Sequence, residues 1–329
     1  MGPFVTQKRC TQPEGGAPVP RREPIRWPDN ARIAVVPAVP FETWPEDIGT
    51  RNSLNRSSRR PYPPTAKSEK DLHVISDRQY GERWGVYRML DMFRRHGIKT
   101  TFFPNGITME KFPDIAQEII ADGHEVASEN YIHDYSFMKI YEEEKADLRR
   151  TVEAIQKVVG ERPWGYLSTG IQPSENTASI IAEEGYLYWV DPQHDDIPYT
   201  LKVNGSELVV LQYYAALNDY STFSGEGRTP RQMLQMRKDY FDYLYREGET
   251  NPGLMMWGNH PFISGRPHSM LPLEEFIKHA EGHHGVWFAR CIDIVRWWLE
   301  NYKDQHVEVW PNCVRMVDPP YYSKAGFSA

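Results

Sequence analysis

The sequence predicts an α/β protein, a single barrel of about seven parallel strands behind an N-terminal arm. Three observations predict it. Helical periods alternate with short apolar runs, helix then strand, in repeated units. The helices stop near glycines, at Gly97, Gly123, Gly160 and Gly185. No linker interrupts the series from residue 31 to residue 305. An open doubly wound sheet is the other closure of the same alternation.

The elements follow in order. Residues 1–30 are rich in Pro, Gly and Arg without a hydrophobic period, which makes them an extended arm. Arg32-Ile33-Ala34-Val35-Val36 reads as a buried strand ending in a loop over Pro40 to Asp47. Residues 48–78 are polar, carry Pro61, Pro63 and Pro64, and read as a loop insertion. Val86, Leu90 and Phe93 share a helical face, and Thr100-Thr101-Phe102-Phe103 follows as a strand. The unit recurs at Ile115 to Val126, Leu148 to Tyr166 and Thr177 to Val190. Val209-Val210-Leu211 and Gly253 to Trp257 continue the strands, with a long helix from Pro230 to Arg246 between them. Val286-Trp287-Phe288 is the last strand, Ile292 to Tyr302 the last helix, and residues 306–329 a C-terminal tail.

Composition excludes several classes of function. Apolar residues make up 40% of 329 and charged residues 25%, as in soluble globular proteins. A net charge of −7 argues against nucleic acid as a partner. No apolar run reaches the roughly 20 residues of a membrane span, and the arginine-bearing start lacks the apolar core of a secretory signal. Cys10, Cys291 and Cys313 are unclustered, which suits a reducing compartment, so a cytoplasmic protein is expected. The arm and the ten tryptophans suggest a homo-oligomer.

In parallel α/β folds, chemistry collects at the carboxyl ends of strands. The polar residues there are Glu42, Asn105, Glu129, His133, Ser168, Asp191, Asp195, Asp196, Asn218, Asp219 and His260. An acid-rich set with two histidines suits general acid–base hydrolysis. No glycine-rich phosphate loop follows the first strand, and no Gly-x-Ser-x-Gly elbow is present.

Several motifs recur in a recognisable order: Phe41-Glu42, Thr101-Phe102-Phe103, Gly123-His124-Glu125, Arg162-Pro163-Trp164-Gly165-Tyr166, Asp195-Asp196-Ile197-Pro198-Tyr199, and His260 within Gly258 to Pro267. Over residues 30 to 302 the chain resembles the polysaccharide-deacetylase superfamily. Its last two motifs resemble the branch of metal-independent allantoinases and cyclic-imide hydrolases. The resemblance implies a distorted (β/α) barrel that cleaves carbon–nitrogen bonds of amides. It puts Glu42 at the position of an aspartate general base and His260 at that of a late histidine that protonates the leaving nitrogen. The metal-binding aspartate falls on Trp44. The histidine pair falls on Glu129 and His133, so only the second histidine is kept.

Trp44 cannot ligate a cation through its donor-only ring, but its flat face offers a wall to a ring-shaped substrate. Glu129 and His133 are legitimate zinc ligands whose third partner is missing. Glu46, Asp47 or Asp134 is a candidate for it, and the alternative is a metal-free pair that bonds substrate. Asp195 and Asp196 are adjacent carboxyls able to share a proton, with Asp196 placed in catalysis and Asp195 in binding substrate N–H groups. Asn105, Asn130 and Ser168 are the further substrate-binding candidates. His283-His284 lies in a surface turn and is expected to ligate nothing, and Trp297-Trp298 is expected to serve packing or subunit contact rather than substrate binding. The expected protein is a hydrolase of a small amide, cyclic in the main reading (ureide, imide or lactam-like), without a cofactor. One alternative is a zinc-dependent N-deacetylase of an amino sugar or oligosaccharide, in carbohydrate metabolism. The other is a catalytically silent binding homologue.

Overall fold

The computed structural model describes residues 23–50, 53–55, 65 and 67–314. Strand β1 (Ile33–Phe41) is its axis, with all nine residues buried. Its odd positions Ile33, Val35 and Val39 join the core formed with the helices, while Ala34, Val36 and Ala38 face a second core inside the strands. That two-sided burial is why the strand reads as a continuous apolar run. Pro37 and Pro40 are unusual in a central strand, and the register shows why they fit. On one side β1 pairs with β9 (Val286–Phe288) up to Val35 and with β2 (Thr101–Pro104) from Val39. Pro37 falls between these partners, where its missing N–H deprives no ladder. On the other side β1 pairs with β8 (Gly253–Gly258) as far as Ala38, and Pro40 lies beyond that last pair.

From β2 the series runs through β3 (Glu125–Val126), and a parallel bridge from Ser128 to Tyr166 leads to β4 (Gly165–Tyr166). It continues through β5 (Tyr188–Trp189) to β7 (Ser206–Val210). A hydrogen bond from Tyr214 N to Met256 O at 3.0 Å brings the chain after β7 back to β8. The result is an α/β barrel whose parallel strands are β1, β2, β3, β4, β5, β7 and β8, as the alternation predicted. Helices α2 (Val86–Arg95), α4 (Pro113–Ala121), α5 (Tyr141–Val159), α6 (Thr177–Glu183), α7 (Pro230–Glu247) and α9 (Cys291–Asn301) occupy the predicted places. The four glycines at helix ends have φ from 64 to 85°, the left-handed conformation that favours glycine.

Five strands and helices were not expected. Helix α1 (Leu72–Tyr80) lies inside the segment read as a structureless insertion, and α3 (Gly106–Lys111) follows β2. Strand β6 (Tyr199–Val203) pairs antiparallel with β7 through Asn204-Gly205, whose φ values of 50 and 84° suit a tight hairpin. Helix α8 (Pro267–Glu281) starts directly after the His260 motif. The tail is partly ordered structure, since β10 (Val307–Val309) pairs with β6. Most of the arm lies outside the described residues. Its last stretch is packed, with Trp27 buried and its Nε1 donating to Gly253 O at 2.9 Å. Trp297 and Trp298 also pack: the first donates to Arg26 O and the second to Thr200 Oγ1. No helix among the described residues is long and apolar enough to cross a membrane.

Candidate active site

The carboxyl ends of the strands converge on a cavity of about 250 Å³. Glu42 enters from the end of β1, Glu129 from the end of β3, Ser168 from β4 and His260 from β8, and all of them line it with Trp44, His133 and Tyr213. The Glu42 carboxylate is buried, with Oε1 at 3.3 Å from His260 Nε2 and 3.6 Å from His133 Nε2. Behind His260 stands Asp219. Its Oδ1 accepts from Nδ1 of the imidazole at 2.5 Å, and its Oδ2 accepts the His260 backbone N–H at 2.8 Å and the Ser264 hydroxyl at 2.6 Å. The line carboxylate–imidazole–carboxylate is thus fixed at both ends.

The electrostatics follow from that line. Burial lowers the pKa of His260, but Glu42 and Asp219 outweigh it and hold the imidazolium up to about 10. Burial raises Glu42, but His260, His133 and Arg78 outweigh it and keep the carboxyl below its ordinary value. Near neutral pH the pair is therefore an ionised carboxylate facing a protonated imidazole.

His133 has the opposite character. Burial pushes it down to about 4, against the pull of Glu42. Asn55 Nδ2 donates to the His133 carbonyl at 3.1 Å, which turns Oδ1 of the same amide toward Nδ1 of the ring, also at 3.1 Å. The proton of the neutral ring therefore sits on Nδ1, and Nε2 presents a lone pair to the cavity. Glu129 lies beside it with neither carboxylate oxygen hydrogen-bonded, and Glu42 Oε2 is likewise unpartnered. Burial first, then the charge of Glu42, raises the Glu129 pKa well above the ordinary range. Ligand atoms of Glu42, Glu129 and His133 all lie within 4.8 Å of one another. Three acceptors without a donor between them call for a proton or a cation. Among the described residues it is Glu42, and not Glu46, Asp47 or Asp134, that brings a ligand atom close to those of Glu129 and His133.

Trp44 lies flat on His133, with ring centroids 3.5 Å apart and planes 17° apart. The guanidinium of Arg78 sits 4.8 Å from the Trp44 ring and 4.2 Å from that of Phe262. Arg78 comes from α1, and Asn55 from the same polar segment. No periodicity in that segment pointed to either. Asp219 appeared among the strand-end residues, but nothing in sequence showed that it would back His260. Tyr213 also went unnoticed. Its hydroxyl accepts from Asn218 Nδ2 at 3.2 Å and leaves no room for a side chain at Gly258.

Four expected residues lie elsewhere, and one has its hydroxyl committed. Asp196 is outside the cavity, because its carbonyl accepts Leu254 N–H at the amino end of β8, opposite to His260, and its carboxylate accepts from Tyr240. Asp195 goes with it, accepting the backbone N–H groups of Asp196 and Ile197 as a turn residue. Asn105 bonds Thr43 N and Asn130 O, while Asn130 bonds Tyr166 and Ser136. Both amides are therefore braces for the loops and do not line the cavity. Ser168 does line it, but its hydroxyl donates to Asp191 at 2.5 Å. The Gly123-His124-Glu125 turn is a brace as well. His124 Nδ1 accepts Thr100 N–H, and Glu125 accepts from Thr101, Tyr188 and Ile292 N.

Comparison with known proteins agrees with this frame. The family model described as polysaccharide deacetylase matches residues 67–189. The crystal structure of a probable polysaccharide deacetylase from Pseudomonas aeruginosa is 32% identical, covers 85% of this chain and 95% of its own, and superposes with a TM-score of 0.75. The chain belongs to the polysaccharide deacetylase family. Puue allantoinase is similar to the same degree, at 31% identity over 84% of this chain and 93% of its own, with a TM-score of 0.75. A putative polysaccharide deacetylase of Schizosaccharomyces pombe is 28% identical over 83% of this chain and 92% of its own. This polysaccharide deacetylase family member is a hydrolase of carbon–nitrogen bonds other than peptide bonds.

Proposed function

We propose that this protein hydrolyses a small cyclic amide, of ureide, imide or lactam type, by direct attack of water. The observation that carries the reading is the Asp219–His260–Glu42 line on the wall of a cavity of about 250 Å³. That volume accommodates one small ring. Glu42 takes a proton from water as its oxygen bonds to the carbonyl carbon. The Tyr213 hydroxyl accepts from Asn218 and keeps its own hydrogen to offer the developing oxyanion. As the carbon–nitrogen bond breaks, the nitrogen takes the Nε2 proton of His260. Glu42 then returns its proton to Nε2 across 3.3 Å, which restores the starting pair. The net change is one water consumed, one carboxylic acid formed, whose proton passes to solvent, and one N–H gained by the leaving nitrogen, which ends as an amide, a urea or an amine according to the ring.

A second reading rests on the acceptor cluster. Glu42, Glu129 and His133 offer lone pairs that fit a divalent cation such as zinc, and they would hold it. Such an ion supplies Lewis-acid polarisation of a carbonyl, as a metal-dependent N-deacetylase of an amino sugar would use. The metal-free reading is preferred because Trp44 occupies the position that the resemblance gives to a metal-binding aspartate, and Glu42 turns Oε1 toward the His260 imidazole at 3.3 Å. Turnover of cyclic ureides, imides, lactams and N-acetyl amino sugars, measured before and after chelation, separates the two. The expected result is chelator-resistant hydrolysis of a cyclic amide, lost in Glu42→Gln and in His260→Ala. Near wild-type turnover in both variants overturns the reading, and loss of activity on chelation transfers it to the second.

A further inference from the structure

We propose that the helical outer layer carries a second metal site, for a divalent transition ion of zinc type, held by Asp242, His279 and His283. Asp242 lies on α7, His279 in the last turn of α8, and His283 in the turn that follows. One ligand atom from each lies within 4.8 Å of the others. None of the three lines the catalytic cavity.

One of the two imidazoles, His283, is held as metal ligands are held. His283 Nδ1 donates to the His279 carbonyl at 2.8 Å, so Nε2 carries the lone pair. Tethering one ring nitrogen to a backbone carbonyl is how proteins orient a ligating histidine. His279 Nε2 meets Asp242 Oδ1 at 2.7 Å, which keeps that ring beside the carboxylate. Phe241 sets its edge against both rings, with centroids 5.6 Å from His279 and 5.2 Å from His283, and Tyr245 lies 4.8 Å from His283. The turn itself is anchored by Tyr245 OH donating to His284 O at 2.8 Å and by Arg32 N donating to Gly285 O at 2.7 Å.

Binding requires a small adjustment. Nitrogen and oxygen ligands about 2.0–2.2 Å from zinc in a tetrahedral site lie roughly 3.3–3.5 Å from one another. The side chains of His279 and Asp242 are 24% and 51% exposed, so they can rotate inward and water can complete the shell. Two imidazoles and a carboxylate suit zinc, copper or nickel and select against calcium and magnesium. The bound ion would fasten α7 to the end of α8. The sequence reading that His283 ligates nothing considered only its glycine-flanked turn, and Asp242 and His279 reach it through the fold.

The test is zinc retained by the full-length protein after gel filtration, measured by elemental analysis. His279→Ala/His283→Ala is expected to hold one equivalent fewer than wild type, and Asp242→Ala to retain less zinc than wild type at the same free-metal concentration. His133→Ala, which acts only on the catalytic cluster, keeps the surface equivalent. In wild type, one zinc equivalent is expected to shift the ring resonances of His279 and His283, while calcium leaves them in place. That arm decides should the double variant not fold. Equal zinc in wild type and variants, or unmoved His279 and His283 resonances, overturns the site.

Discussion

Asp219→Asn is the sharpest probe of the catalytic line, because it removes one charge and almost no volume. The carboxylate serves three donors: Nδ1–H of His260 at 2.5 Å, the His260 backbone N–H at 2.8 Å and the Ser264 hydroxyl at 2.6 Å. An asparagine has a single acceptor oxygen, so whichever way it turns, its NH₂ group faces a donor. Leaving a buried donor unpaired costs about 1–3 kcal/mol. The larger effect falls on the proton. An adjacent opposite charge is worth about 1–3 pKa units to a buried group. His260 is held up to about 10 with Glu42 and Asp219 as the raising charges. Without Asp219 the basic limb of kcat/KM is expected to fall from near 10 to about 7–9. The sign for stability follows from the same shift. A histidine raised above its ordinary 6.5 stabilises the fold fully below pH 6.5, and the contribution is lost as pH rises through about 10. The wild-type protein should therefore lose stability between those limits by an amount that the variant does not. The assays are a pH–rate profile and thermal melts from pH 6 to about 10.5 for both proteins. An unchanged basic limb in Asp219→Asn would refute the claim that Asp219 sustains the imidazolium.

Two further substitutions test the supports of the site. Asn55→Leu removes the amide that fixes the His133 tautomer, leaving a buried N–H unpaired at a cost of about 1–3 kcal/mol. A lower melting temperature and a mixed Nδ1/Nε2 protonation in imidazole ¹⁵N spectra are expected, and an unchanged spectrum would count against the assignment. Gly85→Ala places a methyl 1.9 Å from the Pro261 carbonyl oxygen, within the loop that carries His260. Overpacking of this kind costs about 1–3 kcal/mol. A fall in melting temperature together with kcat is expected, and wild-type values in both would refute the close packing.

The fold was legible where local physics decides it. Helical period, short apolar strands and glycines with φ of 64–85° at helix ends placed the barrel strands and most of the helices. The hairpin between β6 and β7 had its signal in Asn204-Gly205, but Tyr199–Val203 has no clean alternation beside it. Helix α1 was hidden because it follows a proline-rich stretch and buries little of its own surface, Val74 being its one buried residue. The cavity residues Glu42, Glu129, His133, Ser168 and His260 could be nominated because strand ends are visible in sequence. Asp195 and Asp196 show the limit of that rule. They follow β5 in the chain, yet the long excursion into the β6–β7 hairpin carries them to the other end of the barrel, at Leu254. Asn55, Arg78 and Asp219 act through partners 78, 34 and 41 residues away, at His133, Trp44 and His260, and no local pattern encodes such pairs.

The exchanges at positions 44 and 129 are best understood together, through His133. An imidazole stacked at 3.5 Å under an indole and bonded to Asn55 through Nδ1 has one free direction, toward Glu42 and Glu129. Burial pushes its pKa down to about 4, so near neutral pH it offers a lone pair at Nε2 in that direction. His260 balances Glu42 directly, while for Glu129 burial and the charge of Glu42 outweigh the Thr169 hydroxyl and the more distant His260. A carboxyl so placed takes up a proton more readily than an ordinary glutamate, which makes it a hydrogen-bond donor to a substrate oxygen as well as an acceptor for an N–H. Cyclic ureides and imides present both groups on one small ring. The Trp44 ring is spent on packing against His133, and Glu129 faces the one side of that imidazole left open, so both exchanges bear on the same histidine and each is better explained in the company of the other.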